Sequence, residues 1–389
     1  MLPGEICRYN FGPKSDTKVR SAPKVLQWNI ERGYQLSLIL AELHRIDADI
    51  LILQELDIDC ERTAFENVPE RIAKELGLYG VFCCEFVELD SPLRSRENRI
   101  GINAGQKHRG EGLHGNAIFS KRPLSGVAAR EHTANLDWSC SGVILKEPRR
   151  GSRFLLSCCV DWPAANGIHH FHCFNLHLEV FAGPLMRAQQ LGDAISDAGA
   201  IKRSPTQHFL VFGDLNTMSS GIARLSPKYC KDRVRWMGLG ETEGEWLLRH
   251  FISRTHGKRS INWKHRLFGS ADIAAMYDRA AGMCFTDPFD VNKDTTIDNP
   301  TYKGWARWKL DWTLTSNCRV TAFEMGNHDF NMSDHKWLLL TIDPQVQPLL
   351  KHCSEFGTLS SVLVRYLVRV FAFGWIVSLL LWLVMYAIA

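Results

Sequence analysis

Three apolar segments of this 389-residue chain end in polar residues spaced two positions apart. The pairs are Asn29 with Glu31 in QWNIE, Asn175 with His177 in CFNLH, and Asp214 with Asn216 in VFGDLN. Side chains at positions i and i+2 of a β-strand share one face, so each pair directs two polar groups to the same place. Carboxylate, amide and imidazole groups gathered in this way can hold a cation and move protons.

Four further polar residues lie within or beside apolar segments. Glu55 closes DILILQE, Asp311 interrupts WKLDWTLTS, and Asp334 and His335 precede WLLLTI. An unpaired carboxylate is costly to bury, so we expect a cation or mutual hydrogen bonds to balance these acids. Hard oxygen ligands without thiolates suit Mg²⁺ or Mn²⁺.

Most of these residues also have a structural interpretation when each is taken alone. Asn29 and Asp214 are typical of turns that end strands, and Glu55 is typical of a residue beside a helix N-cap. His335 fits a hydrogen-bonded structural imidazole. Asp311, inside an apolar strand, is harder to explain structurally.

The cysteines and the histidine-rich segment HHFHCFNLH do not form a zinc motif. The twelve cysteines include the adjacent pairs Cys83-Cys84 and Cys158-Cys159 but no CxxC, which indicates buried free thiols in a reducing compartment. Strand alternation places the histidines at positions 170 and 172 on the face opposite the histidine at 177, so they are not expected to share a metal.

Strand and helix patterns position the polar residues. Strands are predicted at 24–30, 49–54, 81–89, 115–119, 142–145, 154–160, 169–178, 208–212, 310–315 and 337–342, and helices at 36–46, 64–76 and 184–200. This order has no strict βαβ repeat, so two packed sheets with flanking helices fit it better than a doubly wound sheet. A composition of 45% hydrophobic and 23% charged residues excludes a mainly disordered, collagen-like or coiled-coil chain.

The C-terminal segment predicts a membrane anchor. Residues 370–389 carry no charge, and ~20 helical residues span the ~30 Å hydrocarbon core. Arg365 and Arg369 precede the segment, and the N-terminus lacks the apolar run of a secretory signal. The positive-inside rule then predicts a tail-anchored protein whose preceding chain is cytosolic. A buried core helix is the alternative.

Two other segments stand out by composition. Residues 90–112 are predicted to form a long loop. Arg224–Phe268 carries eleven Lys and Arg against four Asp and Glu, a net charge of +7, with Trp236, Trp246 and Trp263 interleaved. This stretch is either a solvated helical face or a contact for an anionic membrane or nucleic acid. The whole chain, at +4, is not basic enough to predict a nucleic-acid partner by itself.

In chain order, seven motifs resemble the endonuclease/exonuclease/phosphatase superfamily, which includes deoxyribonuclease I, abasic-site endonucleases, inositol polyphosphate 5-phosphatases and neutral sphingomyelinases. They are WNIE at 28–31, QE at 54–55, GNAIFS at 115–120, NLH at 175–177, GDLN at 213–216, LDW at 310–312 and SDH at 333–335. The resemblance implies an α/β (α+β) fold, a four-layered sandwich of two packed mixed β-sheets flanked by helices. It also implies Mg²⁺-dependent (or Mn²⁺-dependent) cleavage of a phosphoester bond.

The resemblance divides the chain into a catalytic domain and its flanks. The domain covers 24–343, with an insertion at about 219–283. Residues 1–23 form an N-terminal extension, 344–369 a juxtamembrane linker and 370–389 the transmembrane helix.

The resemblance also implies roles for the polar residues. Glu55 matches the metal-binding glutamate, Asn29 and Asp334 complete the metal site, and Glu31 lies where some members have a second acid. Asn116 and Asn175 are expected to contact the substrate.

The catalytic positions are expected at five residues: His335, Asp311, Asp214, Asn216 and His177. His335 extracts the proton of water or binds the phosphate, and Asp311 is its carboxylate partner. Asp214 is the other candidate base, and Asn216 orients the water or the phosphate. His177 is a phosphate ligand or the general acid.

The substrate is left open among several phosphoesters. The inositol 5-phosphatases carry a Trp before GDLN and a Cys-Asp-Arg segment, whereas this chain has Phe212 and KLDW. A membrane-held domain meets lipid headgroups at high effective concentration. We therefore favour a phospholipase C-type hydrolase of sphingomyelin or another phospholipid in the bilayer. A nuclease or RNA-processing phosphodiesterase, a phosphatase on inositol or other phosphates, and a non-catalytic membrane adaptor are the alternatives.

Overall fold

The computed structural model describes residues 1–13, 20–89, 112–145, 147–218, 242–257, 270–298 and 307–344. No helix within these ranges is long and apolar enough to cross a membrane. The predicted transmembrane segment 370–389 and most of the loop predicted at 90–112 lie outside them, so both stay predictions.

Sheet A has eight strands and mixed strand directions. Its strands are β1 (Ile6–Asn10), β2 (Lys24–Arg32), β3 (Ile50–Ile58), β4 (Tyr79–Glu88), β5 (Gly112–Ser120), β7 (Arg149–Gly151), β12 (Arg319–Gly326) and β13 (Trp337–Asp343). The order is β1-β4-β5-β3-β2-β13-β12, and β7 also pairs with β4. The central strands β2 and β3 are parallel, so their carboxyl ends lie at the same edge of the sheet.

Sheet B has five strands in the order β11-β10-β9-β8-β6. They are β6 (Leu124–Glu131), β8 (Phe154–Ala164), β9 (Gly167–His177), β10 (Gln207–Asp214) and β11 (Asp311–Ser316). Strands β9 and β10 are parallel. Their shared end carries the polar residues of the NLH and GDLN motifs.

Helices cover the outer faces of the two sheets. They are α1 (Leu36–Ile46), α2 (Val68–Glu75), α3 (Trp138–Leu145), α4 (Pro184–Ala200), α5 (Glu243–Leu247), α6 (Ser253–Thr255) and α7 (Ala271–Asp278). A π-helical turn, Leu248–Ile252, joins α5 to α6. Three apolar cores separate the layers: α1 and α2 against sheet A, sheet A against sheet B, and sheet B against α4, α5 and α7. The four-layered α+β sandwich is confirmed.

Two sequence features behave as expected. Helices α1 and α4 have the predicted bounds. Cys83 lies in the core between the sheets and Cys84 in the core beneath α1 and α2, so the two thiols point to opposite faces. All cysteines of the described ranges are free thiols.

The prediction of a strand at 142–145 is wrong, because these residues end helix α3. Asp137 begins that helix by accepting a hydrogen bond from the Ser139 amide at 3.0 Å. Trp138 then packs edge-on against Phe86, with the ring centroids 5.5 Å apart. The cap and this anchor outweigh the strand preference of the GVIL sequence.

The sequence patterns did not predict the short or exposed edge strands. Strands β6 and β12 expose most of their residues and have no apolar run, and β7 has only three residues. β1 lies inside the predicted N-terminal extension, but it pairs with β4, so sheet A begins before Lys24.

The basic stretch Arg224–Phe268 is described only at 242–257. There Trp246, Leu247, Phe251 and Ile252 are buried in the core that sheet B shares with its helices. This part is neither a solvated face nor a surface for an anionic partner. The rest of the stretch lies outside the described residues.

Candidate active site

Hydrogen bonds between the sheets bring the polar strand ends together. The Asn29 amide nitrogen on β2 donates to Asp214 on β10 at 3.1 Å. The Gln27 amide nitrogen on β2 donates to Asp311 on β11 at 2.9 Å. These contacts bring polar residues of both sheets into one site, at the edge where the carboxyl ends of β2, β3, β9 and β10 meet.

Backbone bulges aim the sheet A residues at this site. The pairing of β2 with β3 shifts register between Asn29 and Arg32, and the pairing of β3 with β5 shifts between Leu53 and Leu56. Glu31 (φ 46°) and Glu55 (φ 56°) are in the left-handed region, which is rare for residues other than glycine. Such conformations cost about 1–3 kcal/mol each and persist where function requires them.

Oxygen-bearing side chains gather on this sheet A side. Glu55 Oε1 accepts a hydrogen bond from Asn29 at 3.2 Å, and its Oε2 lies 3.0 Å from the Arg32 guanidinium. Glu31 Oε2 accepts from the Asp334 backbone amide at 2.9 Å. The Glu55 and Asp334 side chains are 15% and 18% exposed, so solvent reaches both carboxylates.

His335 and Asp311 form the predicted pair. His335 Nδ1 lies 2.7 Å from Asp311 Oδ2, and both side chains are buried. Burial alone lowers the pKa of His335, but the Asp311 and Asp214 carboxylates outweigh it and hold the pKa well above its usual range. The imidazole is therefore protonated at neutral pH, and its Nε2 lies 3.8 Å from Asp214 and 4.0 Å from Asp334.

Asp214 is a buried carboxyl among other charged groups. Burial raises its pKa to about 7, and the Asp311 carboxylate adds to the rise, while His335 and the Asn29 amide oppose it. The group therefore titrates near neutral pH, the range in which a general base is most effective.

His177 faces the centre of the site from β9. Its Nε2 lies 3.6 Å from Asp214 Oδ2 and 3.9 Å from Glu55 Oε1. Burial and then the nearby Arg153 guanidinium hold its pKa well below the usual range, so the imidazole is neutral. A neutral imidazole can donate one hydrogen bond to a phosphate oxygen but is a poor source of a proton.

Two predicted amides take different positions. Asn116 Oδ1 accepts a weak hydrogen bond from the Glu55 backbone amide at 3.4 Å, and its buried Nδ2 has no partner among the described residues. That nitrogen is a donor available to a phosphate oxygen. Asn216 (φ 49°) follows Asp214, and its amide nitrogen donates to the Leu178 carbonyl at 2.9 Å. Asn216 thus fixes the loop after β10, and its backbone amide donates to Asp214 Oδ1 at 2.9 Å.

Asn175 lies beneath the other predicted site residues, so its assignment to the substrate stays a prediction. It is fully buried between the sheets, and its amide nitrogen donates to the Leu53 and Ala117 carbonyls, both at 2.9 Å. Its oxygen accepts from Gln54 at 2.8 Å. Because both amide hydrogens are used by backbone carbonyls, Asn175 ties the two sheets together beneath the site.

Sequence reasoning missed three residues that hold the site. Gln27 and Gln54 donate to Asp311 and Asn175, and Arg32 pairs with Glu55. Gln27 and Asn29 have the same i, i+2 spacing that revealed the other pairs, so the signal was present in the sequence. Arg32 gave no such signal, because a bulge places it near Glu55.

The donor set suits a divalent cation. Carboxylate and amide oxygens of Glu55, Asn29, Asp334 and Glu31 come from one region, with no thiolate among them, which is the chemistry that Mg²⁺ and Mn²⁺ prefer. Within this site, and among the described residues, the ligand atoms that lie within 4.8 Å of one another are those of Asp214, Asp311 and His335, whereas Glu55, Glu31 and Asp334 do not form so close a group. Burial and then the Asp311 carboxylate raise the pKa of Asp214, and a cation nearby would oppose both effects by stabilising the ionised carboxylate.

Comparisons with known proteins identify the family of the chain. The model of the Endonuclease/Exonuclease/phosphatase family matches residues 26–335. The fold is similar to that of an endonuclease/exonuclease/phosphatase from Beutenbergia cavernae, with 15% identity, a TM-score of 0.50, and coverage of 83% of this chain and 72% of that one. Among curated proteins no sequence matches the chain.

Two other solved structures are similar to the chain. The human Nocturnin catalytic domain with a bound sulfate anion has 20% identity and a TM-score of 0.45, over 84% of this chain and 96% of that one. ANGEL2, a 2′,3′-cyclic phosphatase, has 16% identity and a TM-score of 0.45, over 89% and 99%. The matched family region, 26–335, contains every candidate site residue.

Proposed function

The chain belongs to the endonuclease/exonuclease/phosphatase family of phosphoric ester hydrolases, which are generally metal-dependent, and we propose that it cleaves the headgroup phosphodiester of a membrane phospholipid or sphingomyelin. The observation that carries the chemistry is the convergence of a protonated His335, a base titrating near pH 7 at Asp214, and an oxygen-donor set around Glu55. A phosphodiester needs all three: a base for water, cations at its oxygens and help for the departing oxygen.

Each side chain has a task that follows from its position. Glu55, Asn29 and Asp334 would hold a divalent cation, which when bound would supply positive charge to the phosphate. Asp214 accepts the proton of the attacking water, whose oxygen forms the new bond to phosphorus as the ester P–O bond breaks, and the departing oxygen takes up a proton from solvent.

The imidazoles and the amide position the phosphate. His335 donates from Nε2 to the phosphate oxygens, and Asp311 accepts from its Nδ1 and fixes the orientation of the ring. His177 and the Asn116 amide nitrogen donate neutral hydrogen bonds.

The membrane substrate rests on the sequence outside the described residues. Residues 370–389 carry no charge, and from this composition we infer a membrane anchor. An anchor there keeps the catalytic domain at the cytosolic surface of an organelle membrane and presents it with lipid headgroups at high effective concentration. The buried Trp246 leaves any membrane contact of the basic stretch to residues 224–241 and 258–268.

A substrate panel tests the proposal. The full chain, reconstituted in vesicles with Mg²⁺, is offered sphingomyelin, phosphatidylcholine, inositol phosphates, single-stranded RNA and plasmid DNA. We expect release of phosphocholine, with ceramide or diacylglycerol left in the membrane, and no release by His335→Ala. Cleavage of RNA or DNA without headgroup release would contradict the lipid assignment and support a nuclease. Release of inorganic phosphate alone would support a phosphatase.

A further inference from the structure

A cavity of ≈ 500 Å³ lies between residues 33–37 and 61–66. Its two walls are the segments that follow β2 and β3, the strands that carry Glu31 and Glu55. Arg32 connects the cavity to the active site, because its guanidinium lies 3.0 Å from Glu55 Oε2 and 5.8 Å from the centre of the Tyr34 ring. A substrate whose phosphate lies near Glu55 therefore has this cavity next to its headgroup.

The walls of the cavity are acidic. Arg62 is a cation of the lining, but its guanidinium is buried in ion pairs with Asp57 at 2.6 Å and Glu88 at 3.3 Å, so its charge is balanced within the protein. Glu61 has no such balance: its Oε2 is shielded from solvent and has no hydrogen-bond partner among the described residues. Glu61 also lines the cavity, so the cavity has a carboxylate with no ion pair among the described residues, which favours a cation there.

Aromatic side chains complete the lining. Tyr34 and Phe65 both line the cavity, and Phe65 is 50% exposed. Ala64 (φ 54°) and Phe65 (φ 59°) are consecutive residues in the left-handed region, a strained conformation that is retained at ligand sites more often than elsewhere. The faces of aromatic rings attract organic cations.

We propose that this cavity binds the ammonium group of a choline or ethanolamine headgroup while the phosphate is held at the catalytic residues. This inference rests on the proposed function. A zwitterionic headgroup matches the two regions, since the His177 and His335 Nε2 atoms lie 3.6 Å and 3.8 Å from Asp214, where they can donate to a phosphate, and the cavity has Glu61 with two aromatic rings. An anionic headgroup or a nucleic-acid backbone would be repelled by the Glu61 carboxylate.

Headgroup selectivity tests the cavity directly. Hydrolysis of phosphatidylcholine, phosphatidylethanolamine and phosphatidylglycerol vesicles is measured for the full chain, Glu61→Gln and Phe65→Ser. We expect both variants to raise KM for the two ammonium lipids about tenfold, to leave kcat within about twofold, and to lose the preference over phosphatidylglycerol. Phe323→Ser is the matched control, because Phe323 is 52% exposed on β12 outside the cavity.

A binding measurement separates failure of the cavity from failure of the lipid assignment. Phosphocholine and glycerol phosphate are titrated into the full chain by calorimetry, with no turnover required. A preference for phosphocholine that Glu61→Gln abolishes supports the cavity, and equal binding overturns it whatever the substrate is. Wild-type headgroup selectivity in both variants also overturns it. If oligonucleotide cleavage is lost in Phe65→Ser and kept in Glu61→Gln, the cavity stacks a nucleobase instead.

Discussion

The two sheets contribute to the active site in different ways. Sheet A supplies Glu31 and Glu55 from bulged strand ends in left-handed conformations, and the Glu55 carboxylate is 15% exposed. Sheet B supplies His177, Asp214 and Asp311 from an uninterrupted register, in which Asp214 pairs with His177 on one side and Asp311 on the other. A cation site needs accessible oxygens, whereas proton transfer needs groups held rigidly away from water.

The SDH motif at 333–335 contacts residues of both sheets. The backbone amide of Asp334 donates to Glu31 of sheet A, and the next residue, His335, pairs with Asp311 of sheet B. Ser333 fixes this loop by donating from its hydroxyl to the Asn29 carbonyl at 2.6 Å. Changes on either side of the site should therefore have separable effects.

The largest effect is expected from the residue that joins the sheet B side to the phosphate. His335→Ala should lower kcat by on the order of 10³ or more, because it removes a buried positive charge from the phosphate oxygens. Turnover on the substrate identified by the panel measures it. The control is His170→Ala, since His170 lies on the opposite face of β9 and is 34% exposed in its side chain. Near-normal turnover of His335→Ala would contradict the proposed mechanism.

The buried carboxyl of Asp214 should make stability depend on pH. Its pKa is about 7 in the folded protein and about 3.9 when unfolded, so the folded state binds the proton more tightly. The free energy of unfolding of the metal-free protein should fall between pH 4 and 7, by on the order of 1–4 kcal/mol. Asp214→Asn should flatten this slope in urea titrations. An unchanged slope would show that Asp214 ionises normally.

Asp311→Asn is expected to lower kcat less than His335→Ala, because Asp311 acts through His335. Asp311→Asn keeps the size of the side chain and removes the charge that orients His335 and stabilises its protonated form. We expect kcat to fall about 10–100-fold, less than for His335→Ala, and the pKa of His335 measured by NMR to fall. A loss equal to that of His335→Ala, with no change in that pKa, would contradict a positioning role.

The regular parts of the molecule could be predicted from the sequence, and the irregular parts could not. Strand alternation directed His177 to the predicted site, and the unbroken register of sheet B places it beside Asp214. Alternation also directed Asn175 to that site, but it does not report depth, so a residue two positions from His177 was assigned to the substrate. Arg32 and the positive φ of Glu55 depend on bulges, which arise from pairing with neighbouring strands rather than from local sequence.

Substitution of Asn175 should have the smallest effect on kcat. It distinguishes a residue that packs the sheets together from one that takes part in catalysis. Asn175→Ala should lower the free energy of unfolding by about 1–3 kcal/mol, because the Leu53 and Ala117 carbonyls lose a buried donor. The kcat of the folded fraction should remain close to that of the wild type. A large rise in KM without loss of stability in thermal unfolding would instead restore the substrate-binding role.

The central claim is that Glu55 and its neighbours on sheet A hold a divalent cation on which hydrolysis depends. The most direct test is Mn²⁺ titration followed by electron paramagnetic resonance, for the wild type, Glu55→Gln and the control Glu131→Gln on the exposed edge strand β6. We predict at least about tenfold weaker Mn²⁺ binding in Glu55→Gln alone, with activity abolished by chelator and restored by Mg²⁺. Equal Mn²⁺ affinity in all three proteins, or full activity in chelator, would contradict the account.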